Sequence, residues 1–374
     1  VCSSDLSEEV DVLLVAGDIF DGINPSGASQ ELFYSALRML KKRRPTLVTV
    51  ITSGNHDPSG RLEAPRQVLE VIDAHVIACL RRTADVVHFD EHMIALRDAA
   101  GDIQAWVCAI PFLRQADLPG LSFAQQEGQG SPIIEAARRL HAGFATAAIE
   151  RAGRVPVIAM GHLHCHGAAE SEGAERRILI GNEHALSEDV FPEAFTYVAL
   201  GHLHRPQTLG QGRIRYSGSC FPLSASEVDY DHGVTLIDVE GGALTLRHLS
   251  IPRPVQMIRL PTSGAMTFDA FEAALAGCCL DPALPKDRQP FLYVTLEATG
   301  PAAVILADAE RLLAEVPIRL AGLKVRRITE VVAAHPVASL DDTQPEDLFR
   351  TTFLRVNSVP PEDKHIAAFR DAMA

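Results

Sequence analysis

Four times along this chain a short apolar run ends in glycine and then in a residue able to hold a metal ion. Residues 47–51 lead into Gly54-Asn55-His56-Asp57; the other exits are Gly17-Asp18, Gly161-His162 and Gly201-His202-Leu203-His204. Runs that are apolar throughout fit strands covered on both faces. Ligand sites in α/β sheets lie beyond the carboxyl ends of the strands, and glycine lets the backbone turn tightly there. One such exit is an ordinary turn. Four in this order are expected to converge on one site.

The residue types at these exits define a chemistry. Asp18, Asn55, His162, His202 and His204 offer a bridging carboxylate, an amide oxygen and imidazoles, which suit Mn, Fe or Zn. Hydrolysis of a phosphate ester needs a strong nucleophile and compensation for phosphoryl charge; two divalent ions about 4 Å apart supply both. His56 is expected to face the substrate as general acid or phosphate stabiliser, with Asp57 orienting it through a hydrogen bond. His164 repeats the Gly-His-Leu-His pattern yet is expected to stay off the metals. Asp21 reads as a turn residue, and Cys165 and Cys220 as buried thiols.

Around these exits strands alternate with helices, and later strands follow in closer succession. Strands are expected over 11–16, 47–51, 105–110, 155–160, 197–200, 213–216 and 234–239. Helices are expected over 29–40, with Leu32, Phe33, Ala36, Leu37 and Leu40 on one stripe, and over 132–151. The cations Lys41 to Arg44 suit the end of the first helix. The fold class is α/β: a sandwich of mixed β-sheets flanked by helices over residues 1–250.

A linker at 251–254 leads to a second, small α/β domain over 255–335. It holds strands at 255–260, 291–297 and 323–332 and helices at 268–276 and 302–314. Lys324 and Arg326 fall on one face of its last strand. A helical tail over 340–374 carries the stripe Leu348, Phe349, Thr352, Phe353 and Val356, which fits either its own domain or a partner's groove.

Composition narrows the setting. The formal net charge of −14 does not by itself point to nucleic acid, whose binding rests on neutralised phosphates; a basic partner would offset it. Seven scattered cysteines without a Cys-x-x-Cys pair fit free thiols in a reducing cytoplasm. No apolar run reaches the length of a membrane-spanning helix.

The Gly-Asp, Gly-Asn-His-Asp, Gly-His and Gly-His-x-His blocks together resemble the calcineurin-like metallophosphoesterase superfamily. The flanking residues Val-Ala-Gly-Asp-Ile-Phe-Asp (15–21), Ser-Gly-Asn-His-Asp-Pro (53–58), Ala-Leu-Gly-His-Leu-His-Arg-Pro (199–206), Arg-Tyr-Ser-Gly-Ser (215–219) and Pro-Leu-Ser (222–224) narrow this. They are most similar to the SbcD branch, the nuclease subunits of bacterial SbcCD complexes. The resemblance covers about 11–240 firmly and the remainder in outline.

It implies a Mn-dependent DNA exonuclease and endonuclease that hydrolyses phosphodiesters in DNA repair, recombination and replication. Asp18 would bridge two Mn ions, Asn55, His162 and His202 would complete one site, His204 would serve the other, and His56 would be catalytic. The 255–335 domain would cap the site, with Lys324 and Arg326 against the DNA backbone. The tail would bind an SbcC-like ATPase, within a heterotetramer holding a homodimer of nuclease subunits. The family also has an earlier strand ending in Asp-x-His, so the chain as it stands is expected to be N-terminally truncated and impaired, with residues 1–6 a foreign junction. Alternatives are a generic calcineurin-like phosphatase or phosphodiesterase, and an inactive scaffold.

Overall fold

Strand residues here alternate between two interiors, and that alternation builds the layers. In a computed structural model, which describes residues 8–118, 132–171, 175, 185–253, 255–298, 301–327, 345–357 and 359–373, three short strands pair in parallel. They are β1 (Val12–Ala16), β2 (Val48–Thr52) and β3 (Ala74–Ile77), with β2 in the middle. Val50 points into one core and its neighbour Ile51 into another, as a period of two requires.

After the small ribbon of β4 (Arg82–Thr83) and β5 (Val86–Val87) comes a six-stranded sheet. Its strands are β6 (Met93–Arg97), β7 (Ile103–Ala109), β8 (Val157–His162), β9 (Tyr197–Gly201), β10 (Gln207–Leu209) and β11 (Ile214–Tyr216), in the order β10-β11-β9-β8-β7-β6. The inner strands run parallel and both edges are antiparallel. This is the mixed sheet that the strand spacing predicts.

The two sheets face each other across Val50, Ile77, Val107, Ile158, Met160 and Tyr197. The hairpin β12 (Gly233–Glu240) with β13 (Ala243–Ser250) closes that layer through Ile237, Val239, Leu244 and Leu246. Outside the small sheet lie α1 (Gly27–Arg43), α2 (Ser59–Glu63) and α3 (Arg66–Glu70), packed through Leu37, Leu62 and Leu69. Outside the large sheet lies α4 (Pro132–Ala152). Its buried alanines 136, 137, 145 and 148 let it sit close, with Leu140 and Phe144 filling the remaining space. Each large side chain fully buried in this way contributes roughly 1.5–3 kcal/mol.

Leu32 departs from the expected stripe. It is 70% exposed, while Leu37 and Leu40 are buried and Phe33 and Tyr34 pack beside Phe20 and Ile51. Thus α1 is rotated to favour its aromatic pair. Ser26 caps its start by accepting from the Ser29 N–H, and Lys41 at its end binds the Leu47 carbonyl and Asp73.

Beyond the linker, β14 (Met257–Leu260), β15 (Phe291–Ala298) and β16 (Arg319–Arg327) form a parallel sheet. Against it pack α5 (Phe268–Ala276) and α6 (Ala302–Ala314), around Phe271, Leu292, Val294 and Leu296. The last strand begins at Arg319 rather than at 323. An irregularity opposite Leu292 and Tyr293 carries the strand through Gly322. The expected continuation over 328–335 lies outside the described residues.

In the tail, α7 (Pro345–Asn357) and α8 (Asp363–Met373) pack on each other. Phe349 stacks on Phe369 at 4.5 Å, Phe353 lies 4.8 Å from His365, and Glu346 binds both Arg350 and Arg370. Leu348 and Val356 remain exposed. Among the described residues, no helix is long and apolar enough to cross a membrane.

Candidate metal centre

The carboxyl ends of β1, β2, β8 and β9 meet where the two sheets come together. They approach so closely that side chains are excluded at the turns. A Cβ on Gly17, whose φ is +83°, would come within 2.6 Å of the Gly54 nitrogen; one on Gly201 would land on the Ala16 carbonyl oxygen. The next residues bear the strain that these turns set aside. Asp18 (φ 52°) and His202 (φ 97°) both have positive φ, a cost that concentrates at functional sites.

Backbone contacts then set the direction of each donor. His162 Nδ1–H donates to the Ala16 carbonyl at 2.8 Å, linking the large sheet to the small one. In a neutral ring that leaves a lone pair on Nε2. Nε2 faces Asn55 Oδ1 at 3.0 Å and Asp18 Oδ2 at 3.2 Å. Three acceptors thus turn toward one another. One ligand atom each of Asp18, His162 and His202 lie within 4.8 Å of one another.

The His202 Nε2 atom is buried and, among the described residues, has no hydrogen-bond partner. Leaving such an atom unpaired costs about 1–3 kcal/mol, which coordination to a cation would recover. Burial, with His162 beside it, pushes the His202 imidazole down to about 3, so it is neutral and able to ligate. Burial works to raise the Asp18 carboxyl, but it stays below the usual carboxylate range, helped by the bond that Oδ1 accepts from the His56 N–H at 3.1 Å. These donors fit a divalent cation.

Asp57 has a different task from the one expected. Its carboxylate is fully buried and accepts from the N–H groups of Ile19 (3.2 Å), Phe20 (2.9 Å) and Gly54 (2.7 Å). It fastens the β1 exit to the β2 exit. Orientation of His56 falls instead to Asp21, whose carbonyl accepts from His56 Nδ1–H at 2.9 Å. Asp57 turns inward to three main-chain N–H groups, whereas His56 turns toward residue 21.

His204 sits outside the tight cluster but beside it. Its Nδ1–H donates to Glu227 Oε1 at 2.8 Å, which leaves Nε2 for a ligand. Burial would lower the imidazole; the hydrogen bond and charge of Glu227 outweigh it and raise it. Glu227 is itself fully buried, and its Oε2 accepts from the Leu223 N–H at 2.9 Å. The role of Glu227 is hidden in the sequence because Ser224-Ala225-Ser226-Glu227 has the pattern of a helix cap, and Ser224 does donate to it at 3.2 Å.

His164 is engaged at both nitrogens, by Glu170 at 3.1 Å and by the Ala168 carbonyl at 3.4 Å. Cys165 is buried, and burial pushes its thiol up to about 12; Cys220 is exposed rather than buried. Lys324 and Arg326 project from the exposed face of β16 and are not part of the cluster.

With this geometry in hand, the kinship of the chain is informative. The family model described as calcineurin-like phosphoesterase matches residues 4–206. A second, described as type 5 capsule protein repressor C-terminal domain, matches 253–357. The D subunit of the nuclease SbcCD from Rhodobacter capsulatus is 52% identical over 349 residues, 93% of this chain and 86% of that protein. The proteins of the same name from Bacillus subtilis and Escherichia coli are 31% and 28% identical. These cover 63% of this chain and 58% of the relative in the first case, and 92% and 82% in the second. A phosphoesterase family whose donors meet at strand ends, and a near relative matching through both halves, lead to one conclusion: the chain belongs to the calcineurin-like phosphoesterases and, within them, to the SbcD nuclease subunits, which are metal-dependent phosphodiester hydrolases.

Proposed function

We propose that this chain is the nuclease subunit of a DNA-processing complex and that it works with an SbcC-like ATPase on DNA. The observation that carries the reading is the cluster of ligand-type side chains contributed by four strand exits. Asp18, Asn55, His162 and His202 would hold one ion, and Asp18 with His204 would hold a second. Bound there, divalent ions, Mn2+ by the oxygen and imidazole character of the donors, supply Lewis acidity and charge compensation for the phosphate.

The protein's own residues do the rest. Asp57 locks the two loops, Glu227 aims His204, and the Asp21 carbonyl holds Nδ1 of His56 so that Nε2 can meet the phosphate or the leaving oxygen. Residues 1–250 form the nuclease domain. Those over 255–335 form a domain that positions DNA, with Lys324 and Arg326 on its backbone. The helices within 340–374 bind the ATPase subunit, in an assembly containing two nuclease subunits. A basic partner suits a chain of net charge −14. The buried, unbridged thiols of Cys108 and Cys165 fit a cytoplasmic setting.

The test is incubation of the intact protein with linear duplex DNA, Mn2+, the ATPase subunit and ATP. His56→Ala should abolish cleavage while leaving Mn2+ binding in place. Brisk turnover of small phosphodiesters with no cut in DNA would favour a generic phosphodiesterase instead.

A further inference from the structure

An exposed aromatic ring stands on a loop clamped to His204 from both sides. At one end the Ser219 N–H binds the His204 carbonyl at 3.0 Å. At the other end the Leu223 N–H binds Glu227, whose second oxygen holds the His204 ring. Between these anchors Pro222 is buried, while Phe221 and Leu223 are 53% and 55% exposed. Two large apolar side chains thus stand in water on a backbone that is fixed to a candidate metal ligand.

Such exposure has a cost unless something covers it, and the loop's attachment says what arrives. Its two anchors put this loop next to His204. Arg205, next in sequence, is exposed and lies over the Tyr230 ring at 5.7 Å, a cation held in place at the same rim. A planar apolar surface beside a fixed cation matches one nucleotide of a single strand: base on ring, phosphate on guanidinium.

We infer that residues 219–223 form a stacking subsite for a nucleobase of a DNA strand separated from its complement, with Phe221 as the platform and Arg205 at the adjacent phosphate. The inference rests on the nuclease reading and adds to it a grip on the base, where the metal centre grips only the phosphodiester.

The test is fluorescence anisotropy of the full chain with a labelled single-stranded oligonucleotide in EDTA, so that nothing is cut. A strand of the same length built entirely from abasic residues serves as its counterpart. Phe221→Ala should weaken binding of the base-bearing strand about tenfold, and Phe221→Trp should restore it. The unsubstituted protein should bind the abasic strand about as weakly as Phe221→Ala binds the normal one. Equal binding of normal DNA by the Phe221→Ala and unsubstituted proteins, with circular dichroism unchanged, would overturn the subsite and leave the nuclease reading intact. Failure of the unsubstituted protein to bind either strand would overturn both.

Discussion

The two sides of the candidate metal centre are built by different means. On the inner side, His162 takes its direction from a main-chain carbonyl, and His202 takes its direction from a backbone with positive φ. On the outer side, His204 is aimed by the carboxylate of Glu227, and His56 by the carbonyl of an exposed turn. The inner donors therefore exist only when the two sheets are docked. The outer ones depend on single side chains that can be altered without moving a strand. Folding and metal binding should be tightly linked on one side and separable on the other.

The most severe break in that linkage is Asp57→Ala. It strands three buried N–H groups and unfastens the two loops that carry Asp18 and Asn55. Losing a charged acceptor for three donors should cost about 4 kcal/mol, read as a shift in urea midpoint with unchanged slope. A loss below about 1 kcal/mol would mean that the loops hold together without it.

The packing behind the inner side gives a second test, by pH. His141 on α4 is fully buried, donates Nδ1–H to the Ala137 carbonyl at 2.8 Å, and lies with Gly161 and His162 around one small cavity. Burial pushes it down to about 4, and burial does the same to His92. Both folded values lie below the unfolded one near 6.5. Their stabilising contribution is thus complete above that pH and is lost as pH falls toward 4. Each accounts for about 3 kcal/mol across the whole window. Urea midpoints measured between pH 7 and 4.5 should fall steeply, and His141→Leu should flatten the slope by about one proton. An unchanged slope in that variant would remove His141 from the titration.

The same division explains what was legible in the sequence. Asp18, Asn55, His162 and His202 declared themselves because a glycine at each turn and a ligand after it are local patterns. The layers were legible too, since apolar runs and helical stripes report burial directly. The partner of His56 was not. Asp57 is adjacent in sequence and chemically apt, but the choice between it and the Asp21 carbonyl depends on which way a loop turns. Glu227 lies 23 residues from the ring it holds and wears the pattern of a helix cap. Leu32 fits the helical period yet faces water, because the Phe33 and Tyr34 rings decide how α1 rolls.

The finest test of the comparison sets His202→Ala against Glu227→Gln in Mn2+ titrations followed by electron paramagnetic resonance and calorimetry. Removing His202 takes a donor from the inner cluster and should weaken that site more than about 100-fold. Glu227→Gln removes no ligand. A carboxylate can accept from both His204 Nδ1–H and the Leu223 N–H, whereas an amide has one acceptor oxygen and must turn its NH2 toward the other donor. The His204 ring then loses its fixed direction and part of its basicity, and binding on that side should weaken about tenfold. The inner site should keep its affinity, because its orientation comes from the main chain. Equal weakening of both ions by Glu227→Gln would show that the centre is a single unit. The difference between carbonyl-aimed and carboxylate-aimed histidines would then have no energetic meaning.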